Sequence, residues 1–315
     1  MRIFRHDRVA AGDRGAVVAI GNFDGVHLGH QRVIGEAGAI ARSLGAPHAV
    51  LTFEPHPRSV FRPQDPPFRL TPFRTKARRI EALGVDLLFT LHFDLDFARR
   101  SAEDFVETVL MQGLGVRHVV VGYDFVFGHQ RRGDPALLAQ RGAALGFGVT
   151  IIDPVAATAG AIYSSTRIRD HLVAGEPRAA ATLLGRFWEI DGRVERGDRR
   201  GRTIGFPTAN IFLEDYLRPA AGVYAVRAAV DEGGSPHRHD AVANFGTRPT
   251  FGGTDLRLEV HLFDFDGDLY GRHLRVALID HLRPEHKFPN LDALKAQIAE
   301  DAKQARQILK DLPRW

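Results

Sequence analysis

The chain has 315 residues, 44% of them hydrophobic and 25% charged, with no cysteine and a net charge of +4 from 42 basic and 38 acidic side chains. That length suits about two domains with cores of their own, and the composition excludes a disordered or fibrous chain. Absent thiols exclude a disulfide framework and a thiolate metal centre, the small net charge argues against a nucleic-acid partner, and no apolar run reaches the roughly 20 residues of a membrane span. Because MRIFRHDRVA at residues 1–10 lacks an apolar signal core, the expectation is a cytoplasmic protein that takes small phosphorylated ligands. Neither a membrane nor a nucleic acid enters as a partner, and room remains for weak or transient self-association.

In the first half, near-continuously apolar runs alternate with helical periodicity. Runs 16–23, 47–54, 87–93, 118–125 and 148–155 read as strands buried on both faces. Thr71-Pro72 supplies a cap and an N1 proline for a helix over 73–83, Ser101 and Asp104 a capping box for 102–112, and Asp134-Pro135 the start of 135–145. This alternation predicts an α/β unit with a doubly wound, Rossmann-like parallel sheet and right-handed crossovers.

Beyond about residue 185 the helical periodicity gives way to β-like runs at 187–197, 222–231, 240–246, 256–266 and 273–282, punctuated by EGGS, FGGT and FDGD turns. Such spacing predicts an all-β antiparallel barrel or sandwich. A single helix over 291–312 closes the chain, with Leu291, Leu294, Ile298, Ala302, Ala305 and Leu309 on one stripe. The boundary is expected after 184, giving domains 1–184 and 185–315.

GNFDGVHLGH (21–30) joins the first long strand to a helix carrying Val33, Ile34, Ala37, Ile40, Ala41 and Leu44 inward. In a doubly wound sheet this first strand-to-helix turn is the usual phosphate site. The stretch is neither a Walker A loop nor a GxGxxG fingerprint. Backbone N–H groups and the helix dipole nevertheless make it an anion site, to which His27 and His30 would add hydrogen bonds and positive charge. Taken alone, the two histidines also fit a surface role or a metal pair, although no third ligand stands at zinc-type spacing.

A second element, YSSTRIRDHLVAG (163–175), sets Ser164, Ser165 and Thr166 at a helix start with Arg167 and Arg169 close behind. That is a second anion clamp, and also good capping sequence. Together with FEPHP (53–57) and VVVGYDFVFG (119–128), the two elements resemble the nucleotidyltransferase superfamily, specifically the FMN adenylyltransferase half of the prokaryotic bifunctional riboflavin kinase/FAD synthetase family. The resemblance implies attack of an FMN phosphate oxygen on the α-phosphorus of ATP, with His27 and His30 stabilising the transition state. It also implies that Gly21, Asn22, Phe23, Asp24, Ser164, Ser165, Thr166 and Arg169 bind the ATP phosphates, and that Asp124 lines the flavin or nucleotide pocket. Val126 departs from the family, many members of which carry a polar or basic side chain there.

RGDRRGRTIGFPTANIF (196–212) is the second dense stretch. Gly201 and Gly205 strip the loop of side chains so that backbone N–H groups can approach phosphates, and Thr208 with Asn210 supplies two hard oxygen ligands suited to Mg²⁺. Its arginines also read as a solvated basic turn. GVYAV (222–226), NFGTRPTF (244–251), LEVHLFDFDGDLYG (258–271) and LRPEHKF (282–288) then follow, similar in order to the riboflavin kinase half of the same family. That resemblance implies a small antiparallel barrel with a terminal helix, and Glu259 as the base taking the proton from the riboflavin 5′-hydroxyl. It further implies ATP with Mg²⁺ at Gly201, Gly205, Pro207, Thr208 and Asn210, the metal on Thr208 and Asn210, and a riboflavin pocket shaped by Arg248, Arg283, Glu285 and Phe288. Alternation alone places Leu256, Leu258, Val260 and Leu262 opposite Arg257, Glu259 and His261, which also suits an ordinary surface strand.

Two other readings compete: a single live site with the other half a flavin-binding module, and a basic nucleic-acid-binding protein. The first expects losses among His27, His30, Thr208, Asn210 and Glu259, and all are present. The second demands a steep salt dependence.

Overall fold

The computed structural model describes residues 1–154, 163–195, 206–231, 237–250 and 253–312, apart from the side chains at 231, 237, 247–250 and 253–255. The chain divides into two compact units, Met1–Pro66 with Thr71–Ser164, and Pro67–Leu70 with Ser165–Trp315.

The first unit runs β1 (Arg2–Phe4), β2 (Val17–Ile20), α1 (Leu28–Leu44), β3 (His48–Glu54), α2 (Pro57–Phe61), α3 (Phe73–Glu81), β4 (Leu87–His92), α4 (Leu95–Ala98), α5 (Ala102–Asp104), β5 (His118–Gly122), α6 (Pro135–Leu145) and β6 (Gly148–Ile152). Its sheet is wholly parallel, in the order β1-β4-β3-β2-β5-β6. Every residue of β2 is buried, and alternate side chains enter different cores: Val17 and Ala19 pack with Ile34 and Ala37 of α1, Val18 and Ile20 with Phe105 and Val109 on the other face. This two-sided burial is why the strands read as unbroken apolar runs. From β2 the chain moves to β3 on one side and later returns to β5 on the other, so the strand order reverses at β2.

Three local outcomes differ from the expectations. An additional three-residue edge strand, β1, pairs with β4. Thr71 does not cap α3; Pro72 holds the N-cap position without a side-chain bond, because the Thr71 hydroxyl is engaged elsewhere, as described below. Ser101 does cap α5, accepting the Asp104 N–H at 3.0 Å, but the helix widens into a π-helix over Phe105–Leu114. Its buried residues include Phe105 with Val109 and Val106 with Leu110, the i, i+4 spacing that keeps one face of a helix against the core.

The second unit contains α7 (Ser165–Val173), α8 (Pro177–Leu184), β7 (Trp188–Arg193), β8 (Ala209–Phe212), β9 (Gly222–Asp231), β10 (His237–Thr250), β11 (Gly253–Leu262), β12 (His273–Arg283) and α9 (Leu291–Lys310). The strands form one antiparallel sheet, β7-β12-β9-β10-β11-β8. It curls into a near-barrel: just beyond β7 the Glu195 N–H donates to the Asn210 carbonyl of β8 at 2.9 Å, joining the two ends of the sheet. Residues 67–70 pack here too, the Trp188 indole N–H donating to the Leu70 carbonyl at 2.8 Å. Asn290 caps α9, accepting the Ala293 N–H at 2.8 Å. The apolar stripe of α9 reaches the core only in its second half, where Ala305 and Leu309 pack with Val223, Val242 and Ile279; Leu291 is 52% exposed.

Candidate functional sites

GNFDGVHLGH lies where the strand order reverses, beyond the carboxyl end of β2, which is where ligands bind in open α/β sheets. Its backbone is strained: Phe23 and Val26 hold φ of 49° and 43°, conformations that L side chains rarely adopt. The buried carboxylate of Asp24 accepts from the Thr71 N–H and hydroxyl, and the Thr71 hydroxyl oxygen accepts from the Gly25 N–H. Beneath Asn22, the Thr52 hydroxyl donates to the Asn22 carbonyl at 3.2 Å. Among the described residues, no hydrogen bond takes up the N–H groups of Asn22 and Phe23.

His27 is the N-cap of α1. Its Nδ1 accepts the His30 N–H at 3.3 Å, which requires the ring proton on Nε2 when the imidazole is neutral. The two imidazoles stack with centroids 3.5 Å apart and planes 19° apart, and Phe23 meets His30 edge-on at 5.3 Å. Gly29 makes room for this arrangement, since a Cβ there would stand 3.2 Å from the His27 ring. The structure therefore gathers Gly21, Asn22, Phe23, Asp24, His27 and His30 at one turn, with Asp24 turned inward as a tie.

Asp124 is exposed just past β5, the strand beside β2. At the carboxyl ends of β3, β4 and β5 lies a belt that sequence reading missed: Phe61, Phe93, Phe53, Phe105, Phe127 and Phe125 follow in contact, with neighbouring centroids 5.3 to 6.3 Å apart. Phe61 is 59% exposed at one end. Its only sequence signal is the recurrence of Phe near strand ends, which local periodicity does not connect. Ser164 closes the first unit, while Ser165, Thr166 and Arg169 lie on α7 in the second. The Arg169 guanidinium donates through Nε to the Phe68 carbonyl at 2.9 Å and lies over the Phe68 ring.

In the second unit, register brings the expected residues together. Glu259 of β11 stands directly opposite Asn210 of β8 on one side and Asn244 of β10 on the other. Residues facing each other across antiparallel strands share a face, so the three polar side chains form one row. Leu258, Val260 and Leu262 are buried on the opposite face, as the alternation predicts. Asn244, which the sequence did not single out, donates through its amide to Glu285 at 2.9 Å. Gly246, two residues on, leaves space for that carboxylate, which a Cβ would strike. The entry to β8 is held by His261, whose Nδ1–H donates to the Pro207 carbonyl at 2.8 Å; Thr208 follows, half-buried.

Arg283 reaches α9. It forms a bidentate pair with buried Asp301 of α9 at 2.9 and 2.7 Å and donates to the Pro284 carbonyl, with Phe288 beside its guanidinium. Gly201 and Gly205 fall outside the described residues, as does the side chain of Arg248. Among the described residues no group of three or more His, Cys, Asp or Glu side chains is assembled to hold a metal, and no helix is long and apolar enough to cross a membrane.

A parallel sheet with an anion-ready turn at its switch point, together with an antiparallel near-barrel bearing a carboxylate between two amides, suits a two-unit transferase that handles phosphates. The FAD synthetase family profile matches residues 9–167 and the riboflavin kinase profile residues 184–309. The bifunctional riboflavin kinase/FMN adenylyltransferase of Escherichia coli K12 is 42% identical over 98% of both chains, and that of Pseudomonas fluorescens 43% identical over 94% of this chain and 93% of its own. A crystal structure described as a macrolide-efflux protein from Streptococcus pneumoniae is similar with a TM-score of 0.84 and 32% identity, covering 97% of this chain and 98% of that one. The chain belongs to the bifunctional riboflavin kinase/FMN adenylyltransferase family.

Proposed function

We propose that the family's two reactions divide between the two sites just described. The chain is a riboflavin kinase and FMN adenylyltransferase: riboflavin and ATP give FMN and ADP, and FMN with a second ATP gives FAD and pyrophosphate. Adenylyl transfer is assigned to the GNFDGVHLGH turn and phosphoryl transfer to the row around Glu259, with the functional boundary after residue 184.

In adenylyl transfer an FMN phosphate oxygen attacks the α-phosphorus of ATP and pyrophosphate leaves. The attacking oxygen carries no proton to remove, so the work is positioning and charge stabilisation. The N–H groups of Asn22 and Phe23, the first turn of α1 and the stacked His27 and His30 supply donors for the phosphate oxygens. Ser164, in the same unit, contributes a further phosphate contact. Phe61, Phe93 and Phe125, the accessible members of the belt, and Asp124 offer the isoalloxazine an apolar surface with a polar edge.

The kinase reaction starts from an alcohol, so a base is required. Glu259 accepts the proton of the riboflavin 5′-hydroxyl as that oxygen attacks the γ-phosphorus and ADP leaves. Asn210 and Asn244 orient the carboxylate, while Glu285 and Phe288 border the flavin. Thr208 and the Asn210 side chain, beside Glu259, make a hard-oxygen set that fits Mg²⁺ when phosphate oxygens complete the shell. Bound there, the ion would neutralise charge on the phosphates. The single observation that carries this reading is the register placing Glu259 between Asn210 and Asn244, in one chain with the histidine turn at the switch point. We also assign the protein to the cytoplasm, where ATP is abundant. Chromatography of the flavins formed from riboflavin, ATP and Mg²⁺ tests it: FAD is expected, and accumulation of FMN alone would remove the first assignment.

A further inference from the structure

Lys76 of α3 is fully buried, a rare situation for lysine. Its ammonium meets Glu54 at 2.8 Å and donates to the Thr52 hydroxyl at 3.3 Å. Having accepted that bond, Thr52 directs its own proton to the Asn22 carbonyl at 3.2 Å. The result is a continuous chain from a buried cation to the turn at the switch point.

Such a pair is poor evidence for stability, because desolvating two ions costs about what their attraction returns. Its position suggests a different use. Carbonyl and following N–H point opposite ways across a trans peptide. Fixing the Asn22 carbonyl toward Thr52 therefore aims the Phe23 N–H away from that strand. Hydrogen-bond chains polarise their members, so a cation feeding the Asn22 carbonyl makes the N–H of the same peptide a stronger donor. The strained φ of 49° at Phe23 needs surroundings that over-determine it, and the Lys76–Thr52 chain is one of them, beside Asp24 with Thr71.

We propose that Lys76 is a positioning residue for adenylyl transfer, fixing and polarising the Asn22–Phe23 peptide through Thr52 so that its N–H meets the ATP phosphate oxygens. The proposal rests on the assignment of this turn to FMN adenylylation. The test uses the full chain and compares Lys76→Met, Thr52→Val and His30→Ala for FAD formation from FMN and ATP, with riboflavin phosphorylation as the control in the same molecule and thermal melting as the check on folding. Misplacement of a stabilising donor costs about 10- to 100-fold in kcat. Lys76→Met is expected to lose that much with KM for FMN and ATP changed less than about threefold, and Thr52→Val about 3- to 10-fold, while FMN formation stays within about twofold. Unchanged kcat in Lys76→Met, or a loss confined to KM, would overturn the proposal. Where Lys76→Met fails to fold, Thr52→Val decides: a lowered kcat supports the proposal and an unchanged one overturns it. Full FAD formation by His30→Ala would instead remove the assignment of the turn, whereas an inactive His30→Ala beside a fully active Lys76→Met removes Lys76 alone.

Discussion

Asp24 and Thr71 hold each other across the base of the phosphate turn: the carboxylate accepts the Thr71 N–H at 2.9 Å and its hydroxyl at 3.3 Å, while the hydroxyl oxygen accepts the Gly25 N–H at 2.8 Å. Thr71→Val keeps the backbone and branched shape but leaves the Gly25 N–H buried without its acceptor. A stability loss of about 1–3 kcal/mol is expected in the first unit, with slower FAD formation and normal FMN formation. Thr71→Ser should behave almost as the parent. Denaturant unfolding read alongside both activities checks this, and a Thr71→Val protein of parental stability and rate would contradict it.

Arg283 is expected to act on stability more than on flavin affinity. Its partner Asp301 is 3% exposed, so Arg283→Met leaves a buried carboxylate without its cation, the Gln297 amide still donating to it. Breaking such a pair costs about 3–5 kcal/mol. Unfolding of the second unit measures it; a variant with parental stability and a raised riboflavin KM would instead place the guanidinium on the flavin.

Gly246→Ala is expected to displace the end of Glu285, since the new methyl occupies the space of its carboxylate. The Asn244–Glu285 bond then breaks. Because a flexible side chain can swing away, little stability should be lost, about 1 kcal/mol, while riboflavin KM rises several-fold. Steady-state kinetics with riboflavin varied tests this, and an unchanged KM would remove Glu285 from the pocket.

One buried and one half-buried histidine, His48 and His118, set an acid limit on the first unit. Burial holds His48 below its ordinary value, opposed in part by its bonds to the Gly84 and Ile34 carbonyls, and burial lowers His118 as well. With the folded values depressed, the unfolded chain binds protons first on acidification, so stability present above about pH 6.5 is lost as pH falls through the folded values. Melting temperature should drop as pH falls below about 6.5, less steeply in His118→Gln. A melting temperature that rises on this acidification would contradict the assignment.

Much of this was legible in the sequence because it is local. Apolar runs buried on both faces gave the strands of the parallel sheet, Asp134 capped its helix as written, with its carboxylate accepting the Leu137 N–H at 2.8 Å, and the switch-point turn followed from strand order. The row of Asn210, Glu259 and Asn244 was half visible: alternation put Glu259 on the outer face, but only register supplies its neighbours. What could not be read depends on long-range partners. Thr71 looked like a helix cap because nothing local announces Asp24, 47 positions earlier. Lys76 shares α3 with Arg74, Arg78 and Arg79 and alone among them is fully buried, and the tie between Arg283 and Asp301 of α9 joins residues 18 positions apart.

The central claim is that two chemistries occupy two separate sites in one chain, and paired substitutions test it most directly. Flavin products are separated by chromatography for His30→Ala supplied with riboflavin and ATP, and for Glu259→Ala supplied in turn with riboflavin and with FMN. The account predicts that His30→Ala makes FMN and no FAD, and that Glu259→Ala makes FAD from FMN and nothing from riboflavin. Equal loss of both activities in either folded variant would contradict it.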